Sequence, residues 1–202
     1  MKLFRLAGFT MIELLIVISI LGILSVAVLS AINPVEQINR GRDTGTRSDA
    51  AQLLSAIDRY NAFQGYYPWM VGASSTNNAV AWTQFSGITK LVDDKPGTPK
   101  CPVSEKLSAA VVAGCTGADE LKVTFFSRIF NSGYNYLYAY NNGGQGDSTY
   151  ICFKPQSKAF VTEAATRIAG TLPADYPKAL DGSQAVDNPT NCGIDGNCIC
   201  LP

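Results

Sequence analysis

The sequence predicts an α+β protein in which a long N-terminal helix packs on a small antiparallel sheet. Residues 9–32 are apolar apart from Ser, Thr, one Gly and one charged residue. Apolar residues then recur at helical spacing from Ala50 to Tyr60,. Residues 134–140 alternate strictly and lead through a Gly-rich turn into a second strand pattern,. A helical half of the chain is thus followed by a sheet-forming half.

The first apolar run, residues 9–32, is long enough to cross a membrane. At about 1.5 Å per helical residue it reaches roughly 36 Å, more than the roughly 30 Å of a bilayer's hydrocarbon core. Its single charge, Glu13, lies close to the start. A carboxylate in hydrocarbon costs on the order of 3 kcal/mol, so Glu13 requires an edge position or a partner charge.

The residues around Glu13 form a recognisable pattern. A short leader with Lys2 and Arg5 ends at Gly8 and is followed by Phe9-Thr-Met-Ile-Glu13. This Gly-Phe-Thr-x-x-Glu stretch, running into an apolar helix, resembles the prepilin signature of type IV pilins and of their relatives in type II secretion and DNA-uptake machines. The resemblance implies that a membrane peptidase cuts between Gly8 and Phe9 and that Phe9 is then N-methylated.

The same resemblance implies a role for Glu13 in assembly. In the family, this glutamate offsets the N-terminal amine of a neighbouring subunit, which here would be the amine of Phe9. The physics agrees, because a buried ammonium and a buried carboxylate are tolerated together and are expensive apart. Each subunit would contribute one ammonium group and one carboxylate.

Two other interpretations of the run compete with this one. Ser25-Val26-Ala27 or Leu29-Ser30-Ala31 could serve as the cleavage site of an ordinary secretory signal,. The run is longer than such a core, however, and Glu13 would be unusual inside it. A plain single-pass anchor explains the length but neither Gly8 nor the placement of Glu13. The prepilin interpretation is therefore favoured.

The predicted organisation has four parts: a leader, a transmembrane or filament-core helix, a kinked stalk with an amphipathic helix, and a globular head, at residues 1–8, 9–32, 33–65 and 66–202. In a continuous helix Pro34 would lose its hydrogen bond to Ser30, and Gly41 and Gly45 would each cost about 1 kcal/mol relative to Ala. We therefore expect a kink or a locally melted stretch there.

The amphipathic helix and the head follow from local patterns. Thr46-Arg-Ser-Asp49 reads as a capping box, with Asp for the usual Glu, that opens a helix ending near Gly65,. The later elements expected are a short helix, three strands and another short helix, at residues 105–113, 121–126, 134–140, 148–154 and 158–167. The stretches 71–117 and 172–197 read as mainly irregular. Tyrosines 134, 136, 138 and 140 share one strand face, where packing explains them better than adhesion.

The cysteines indicate an oxidised head. All six lie beyond residue 100, on the side of the apolar run that would be exported,. Six cysteines allow fifteen pairings. Among them we favour Cys101 with Cys115, Cys192 with Cys198, and Cys152 with Cys200.

Composition argues against catalysis and against nucleic-acid binding. The chain has no histidine, which excludes Ser-His and Cys-His nucleophilic pairs and His-ligated zinc,. Its formal charge is zero, so nothing indicates nucleic acid as a partner. We expect no enzyme activity, no metal and no cofactor. Asp181, Asp187 and Asp195 do not form an EF-hand loop, but calcium binds loops in some pilin relatives and stays a weak option.

The function implied by the resemblance is that of a structural subunit. The chain would be a prepilin, anchored by one span in the cytoplasmic membrane and its lipid, then polymerised with its own copies into an extracellular pilus. The implied partners are the prepilin peptidase/methyltransferase and a membrane assembly platform. The alternatives are a pseudopilin or minor pilin of a secretion or DNA-uptake machine and, from another class, a membrane-anchored enzyme or binding domain.

Overall fold

The computed structural model describes the chain over the following residues: 8–31, 33–75, 79–85, 92–93, 100–109, 115, 117–130, 135–144, 146–177 and 198–202. The chain divides into two compact units, Met1–Ile38 and Asn39–Pro202. The boundary expected after residue 65 therefore lies inside the second unit. The architecture is α+β, with two long helices and a four-stranded sheet, as predicted.

Helix α1, Met11–Ala31, corresponds to the predicted apolar helix. Its 20-residue stretch Met11–Ser30 has a mean hydropathy of 2.8, and none of it is buried by the residues that the structure describes. By length and composition this helix could cross a membrane, although signal sequences near an N-terminus share both properties,.

Helix α2, Pro34–Gln64, begins earlier than predicted. The side-chain oxygen of Asn33 accepts a hydrogen bond from the backbone N–H of Glu36 at 3.2 Å. Pro34 takes the first helical position, where its missing N–H costs nothing. The expected interruption is thus confirmed just before Pro34.

The expectations for residues 41–49 were wrong, because Gly41 and Gly45 lie inside continuous α2. The hydroxyl of Thr46 donates to the carbonyl of Arg42 at 3.0 Å, so Thr46 is a helix-interior residue and does not begin a capping box. The reason is tertiary: Asp43 and Thr46 are fully buried in the second unit, and that packing outweighs the cost of the two glycines. The helix ends where expected, directly before Gly65, whose φ is +75°,.

The sheet has four antiparallel strands in the order β1-β2-β3-β4. Strand β1 is Val80–Gln84, β2 is Leu137–Asn141, β3 is Thr149–Phe153 and β4 is Ile199–Leu201. The β2–β3 hairpin confirms the central sheet prediction, with shorter strands than the sequence patterns suggested. Strand β1 lies in a stretch that sequence analysis read as irregular.

One face of the sheet packs on α2. The helix contributes the predicted apolar stripe, and the sheet contributes side chains of β2, β3 and β4, among them Leu137, Ile151, Phe153 and Ile199. The predicted packing of the amphipathic helix on the sheet is therefore confirmed. The second half of α2 therefore supplies part of the hydrophobic core of the head.

The described part of the second unit contains three further, short helices: α3 at Val103–Lys106, α4 at Val123–Ile129 and α5 at Lys158–Ile168. Helix α5 confirms its prediction. Helix α3 starts and ends earlier than expected, and residues 110–113 of the expected helix lie outside the described residues. The expectation of a strand at 121–126 was wrong. Phe125, Phe126 and Ile129 enter the core from one face of α4, and that spacing is helical.

Candidate processing and assembly site

The residues proposed for processing lie at the start of α1. Gly8 and Phe9 precede the helix and are exposed, Phe9 by 77%. The hydroxyl of Thr10 accepts a hydrogen bond from the backbone N–H of Glu13 at 3.2 Å. Thr10 is thus the N-cap residue, and Glu13 is the third helical residue, where the positive end of the helix dipole favours a carboxylate.

The Thr10-x-x-Glu13 spacing is that of a capping box, a signal that sequence analysis did not use. Glu13 therefore has a local structural role available to it as well as the assembly role that the family resemblance implies. Its side chain is exposed, as is that of Phe9. The leader residues Lys2 and Arg5 lie outside the described residues.

The surface of α1 suits an apolar environment. Its large side chains are exposed all round the helix, with values from 45% at Val17 to 90% at Met11. The hydroxyls of Ser19 and Ser25 donate to the carbonyls of Leu15 and Leu21, each at 2.7 Å. These polar groups thus find partners within the helix and need no water. A surface of this kind requires cover from lipid or from other protein.

Helix α2 is fixed to the head by Asp43. Its carboxylate is fully buried and accepts hydrogen bonds from the side chain of Asn135 at 2.9 Å and from the backbone N–H groups of Gln156 and Ser157. Ser157 is the N-cap residue of α5. Several donors together compensate for the burial of this carboxylate.

Two ion pairs add to this attachment. Arg128 on α4 binds Asp49, which is buried on α2. Arg47 on α2 binds Glu163 on α5. These contacts and the role of Asp43 were not predicted from the sequence, because the partners are 79 to 116 residues apart in the chain.

Two of the three expected disulfides are present in the described residues. Cys101 is bonded to Cys115, and Cys152 to Cys200. The second bond joins residues that face each other on β3 and β4. Cys198 is also disulfide-bonded, while Cys192, its expected partner, lies outside the described residues.

The sheet face that points away from α2 carries a second, smaller core. It consists of buried side chains from the sheet and the tail: Tyr138, Tyr150, Cys152, Tyr176, Cys198 and Cys200. Packing therefore accounts for Tyr138, while Tyr136 is 41% exposed and Tyr134 lies outside the described residues.

Asp175 holds the tail against this face. Its carboxylate accepts hydrogen bonds from the backbone N–H of Ser148 at 2.7 Å and from the hydroxyl of Tyr150 at 3.1 Å. The hydrogen bond from the Ser148 backbone is the main cause that lowers the pKa of Asp175. Burial first, and then the bond to Asp175, raise the pKa of Tyr150 to about 12. Both shifts mark a contact that needs an ionised carboxylate and a neutral phenol.

Within the part of the chain that the structure describes, no three His, Cys, Asp or Glu side chains come together as a metal site would require. The three aspartates considered for calcium, Asp181, Asp187 and Asp195, lie outside that part. The calcium option is therefore untested.

Comparison with known proteins finds one family match, which is confined to the N-terminal segment. Residues 4–29 match the family model described as the prokaryotic N-terminal methylation motif. This motif is the hallmark of type IV pilins and prepilin-like proteins, and the chain carries it together with an α+β fold. No curated protein and no solved structure matches the chain. The matched segment contains Gly8, Phe9 and Glu13, the residues that sequence analysis selected.

Proposed function

We propose that the chain is a prepilin, the precursor of a structural subunit of a type IV pilus. The observation that carries the proposal is the methylation motif at residues 4–29, most of which lies on a helix whose apolar surface is not buried by the described part of the chain. The leader is removed between Gly8 and Phe9, Phe9 is methylated, and α1 holds the protein in the cytoplasmic membrane. The subunit has no enzymatic role, and calcium is at most an additional ligand of its head.

Polymerisation then moves α1 from lipid to protein surroundings. The hydrophobic effect makes an exposed helix of this kind unstable in water, so it leaves the bilayer only if other copies cover it. Glu13 offsets the amine of Phe9 on a neighbouring subunit in that environment. The prepilin peptidase/methyltransferase, the assembly platform and further copies of the chain are the partners of these steps.

The experiment is a comparison of cell-surface fibres with membranes. The full-length chain is expressed with its assembly machinery, fibres are sheared off, and both fractions are probed for this protein. We expect the chain in the fibres at a mass lower by the eight leader residues. Gly8→Val, which places a branched side chain at the cleavage site, should leave uncut protein in the membrane and none in fibres. A chain confined to the membrane in both cases would contradict the proposal.

A second candidate is a minor pilin or a pseudopilin, since the methylation motif is shared by these proteins. The disulfides of the head favour a subunit exposed outside the cell, where such bonds persist,. Electron microscopy of fibres with antibody-labelled subunits separates the candidates. If the chain is a major pilin, the antibody labels the whole length of the fibre. If it is a minor pilin, the antibody labels tips or rare points, and a pseudopilin yields no long surface fibre.

A further inference from the structure

A pocket near the C-terminal end of α2 contains a negatively charged side chain that has no positively charged partner among the described residues. Its volume is about 420 Å³, and it lies between α2 and the β2–β3 turn, with Asp58, Asp147 and Tyr67 among its lining residues. Among the described residues that line it, none is positively charged.

Of the two aspartates in this pocket, Asp58 is the one whose carboxylate is available to bind another molecule. Asp147 already accepts hydrogen bonds from Asn142 and Gly144. Among the described residues, the carboxylate of Asp58 has no hydrogen bond or ion pair, and desolvation by its surroundings raises its pKa. A cation brought to Asp58 would therefore find an acceptor, with Tyr67, which stacks on Trp69 through one face, lining the same pocket.

Two guanidinium groups towards the N-terminal end of α2 carry the opposite charge and could bind Asp58. Arg40 and Arg42 are exposed, and neither side chain has a partner in the part of the chain that the structure describes. Arginine suits such a pocket better than lysine does, because its planar guanidinium binds carboxylates in two-pronged fashion and stacks on aromatic rings.

The two arginines lie on different sides of α2. At about 100° and 1.5 Å per residue, Arg42 lies roughly 160° around α2 from Asp58 and about 24 Å below it. Arg40 lies about 27 Å below Asp58 on the same side of the helix. Two parallel copies that contact each other side by side present opposite sides of α2. Arg42 can therefore face Asp58 of a neighbour, and Arg40 cannot.

We propose that Arg42 of one copy docks into the Asp58 pocket of a second copy that is displaced by about 24 Å along the direction of α2. The two surfaces are different parts of the same chain, so the contact is heterologous and repeats without closing, as a filament requires. This inference rests on the proposed function, because it describes a contact between subunits of the fibre.

The test is charge reversal in the full-length protein, with fibres measured against mature protein in membranes. Asp58→Arg and Arg42→Asp should each lower the fibre fraction by roughly fivefold or more, since each turns an attractive pair into a repulsive one at every added subunit. The double variant, which restores an opposite-charge pair, should recover most of the wild-type fraction. Arg40→Asp is the matched control and should stay within about twofold of wild type.

The possible failures are distinguishable. Single variants that assemble like wild type, a double variant that stays as defective as the singles while its mature protein is abundant in membranes, or an equal loss in Arg40→Asp would each overturn the docking contact alone. Absence of fibres from the wild-type protein would overturn both this contact and the proposed function.

Discussion

The carboxylate of Asp43 accepts a hydrogen bond of 2.7 Å from the backbone N–H of Ser157, which lies 114 residues away in the chain. This bond joins α2 to the N-cap residue of α5 and marks the point where α2 begins to pack on the head. Below Asp43, the described residues of α2 are largely exposed; from Asp43 upward, the helix has a buried side.

Replacing Asp43 should destabilise the head strongly. Asp43→Asn keeps the size but puts an amide N–H₂ among donors, so at least one buried backbone N–H loses its acceptor. We expect the free energy of unfolding to fall by on the order of 3 kcal/mol. The measurement is urea denaturation of residues 39–202, the second compact unit. Asp58→Asn, at an exposed position, is the control and should change stability by less than about 0.5 kcal/mol. Equal effects of the two would contradict the anchoring role.

The two disulfides between described residues should contribute unequally. In the chain-entropy model the Cys101–Cys115 bond, with a sequence separation of 14, is worth about 3 kcal/mol, and the Cys152–Cys200 bond, with a separation of 48, about 4 kcal/mol,. Removing the second pair should therefore lower the melting temperature more. The comparison uses paired Cys→Ala variants, with thiol titration of the wild type to confirm oxidation. Free thiols in the exported wild type, or unchanged melting in both variants, would refute this account.

Asp175 should make the tail contact sensitive to acid. Because the folded pKa is lowered, the unfolded chain takes up the proton first as the pH falls. The stabilising contribution is thus present above about pH 4 and is lost as the pH drops through the folded pKa. Melting temperatures measured from pH 6 to pH 2 should fall less steeply in Asp175→Asn than in wild type. Parallel curves would show that Asp175 makes no such contribution.

The stabilising contribution of Tyr150 should be lost at alkaline pH, whereas that of Asp175 is lost in acid. Its folded pKa of about 12 exceeds the ordinary value of 10.0, so stability present below pH 10 is lost as the pH rises towards 12. Spectroscopic titration of the phenols checks this directly, since Tyr150→Phe should remove one late-titrating group. An unchanged number of late-titrating groups in Tyr150→Phe would contradict the shift.

Glu13 should matter for assembly more than for anchoring. Glu13→Gln keeps the size of the side chain but leaves the amine of Phe9 without a countercharge in the fibre. Breaking a buried pair from one side costs roughly 3 to 5 kcal/mol, and a polymer repeats the loss at each subunit. We expect cleaved protein in membranes and few fibres. Abundant fibres would exclude the pairing role, and uncut protein would show that Glu13 serves the peptidase.

The sequence was sufficient where one local pattern decides the structure. The length of α1, the stop at Gly65 and the β2–β3 hairpin each depend on neighbouring residues. It was insufficient where distant contacts decide. Asp43 gives no local sign that its partners lie near residues 135 and 157. Helix α4 was misread because its aromatic and β-branched residues favour strands locally, whereas the core takes Phe125, Phe126 and Ile129 from a helix.

The most direct test of the central claim is the chemical identity of the N-terminus in assembled fibres. Fibres are sheared from cells that express the unmodified chain, and the N-terminal peptide is sequenced by mass spectrometry. The account predicts that the chain begins at Phe9 and that its amine carries one methyl group. A chain that begins at Met1, or at a residue beyond Ala27, would contradict it.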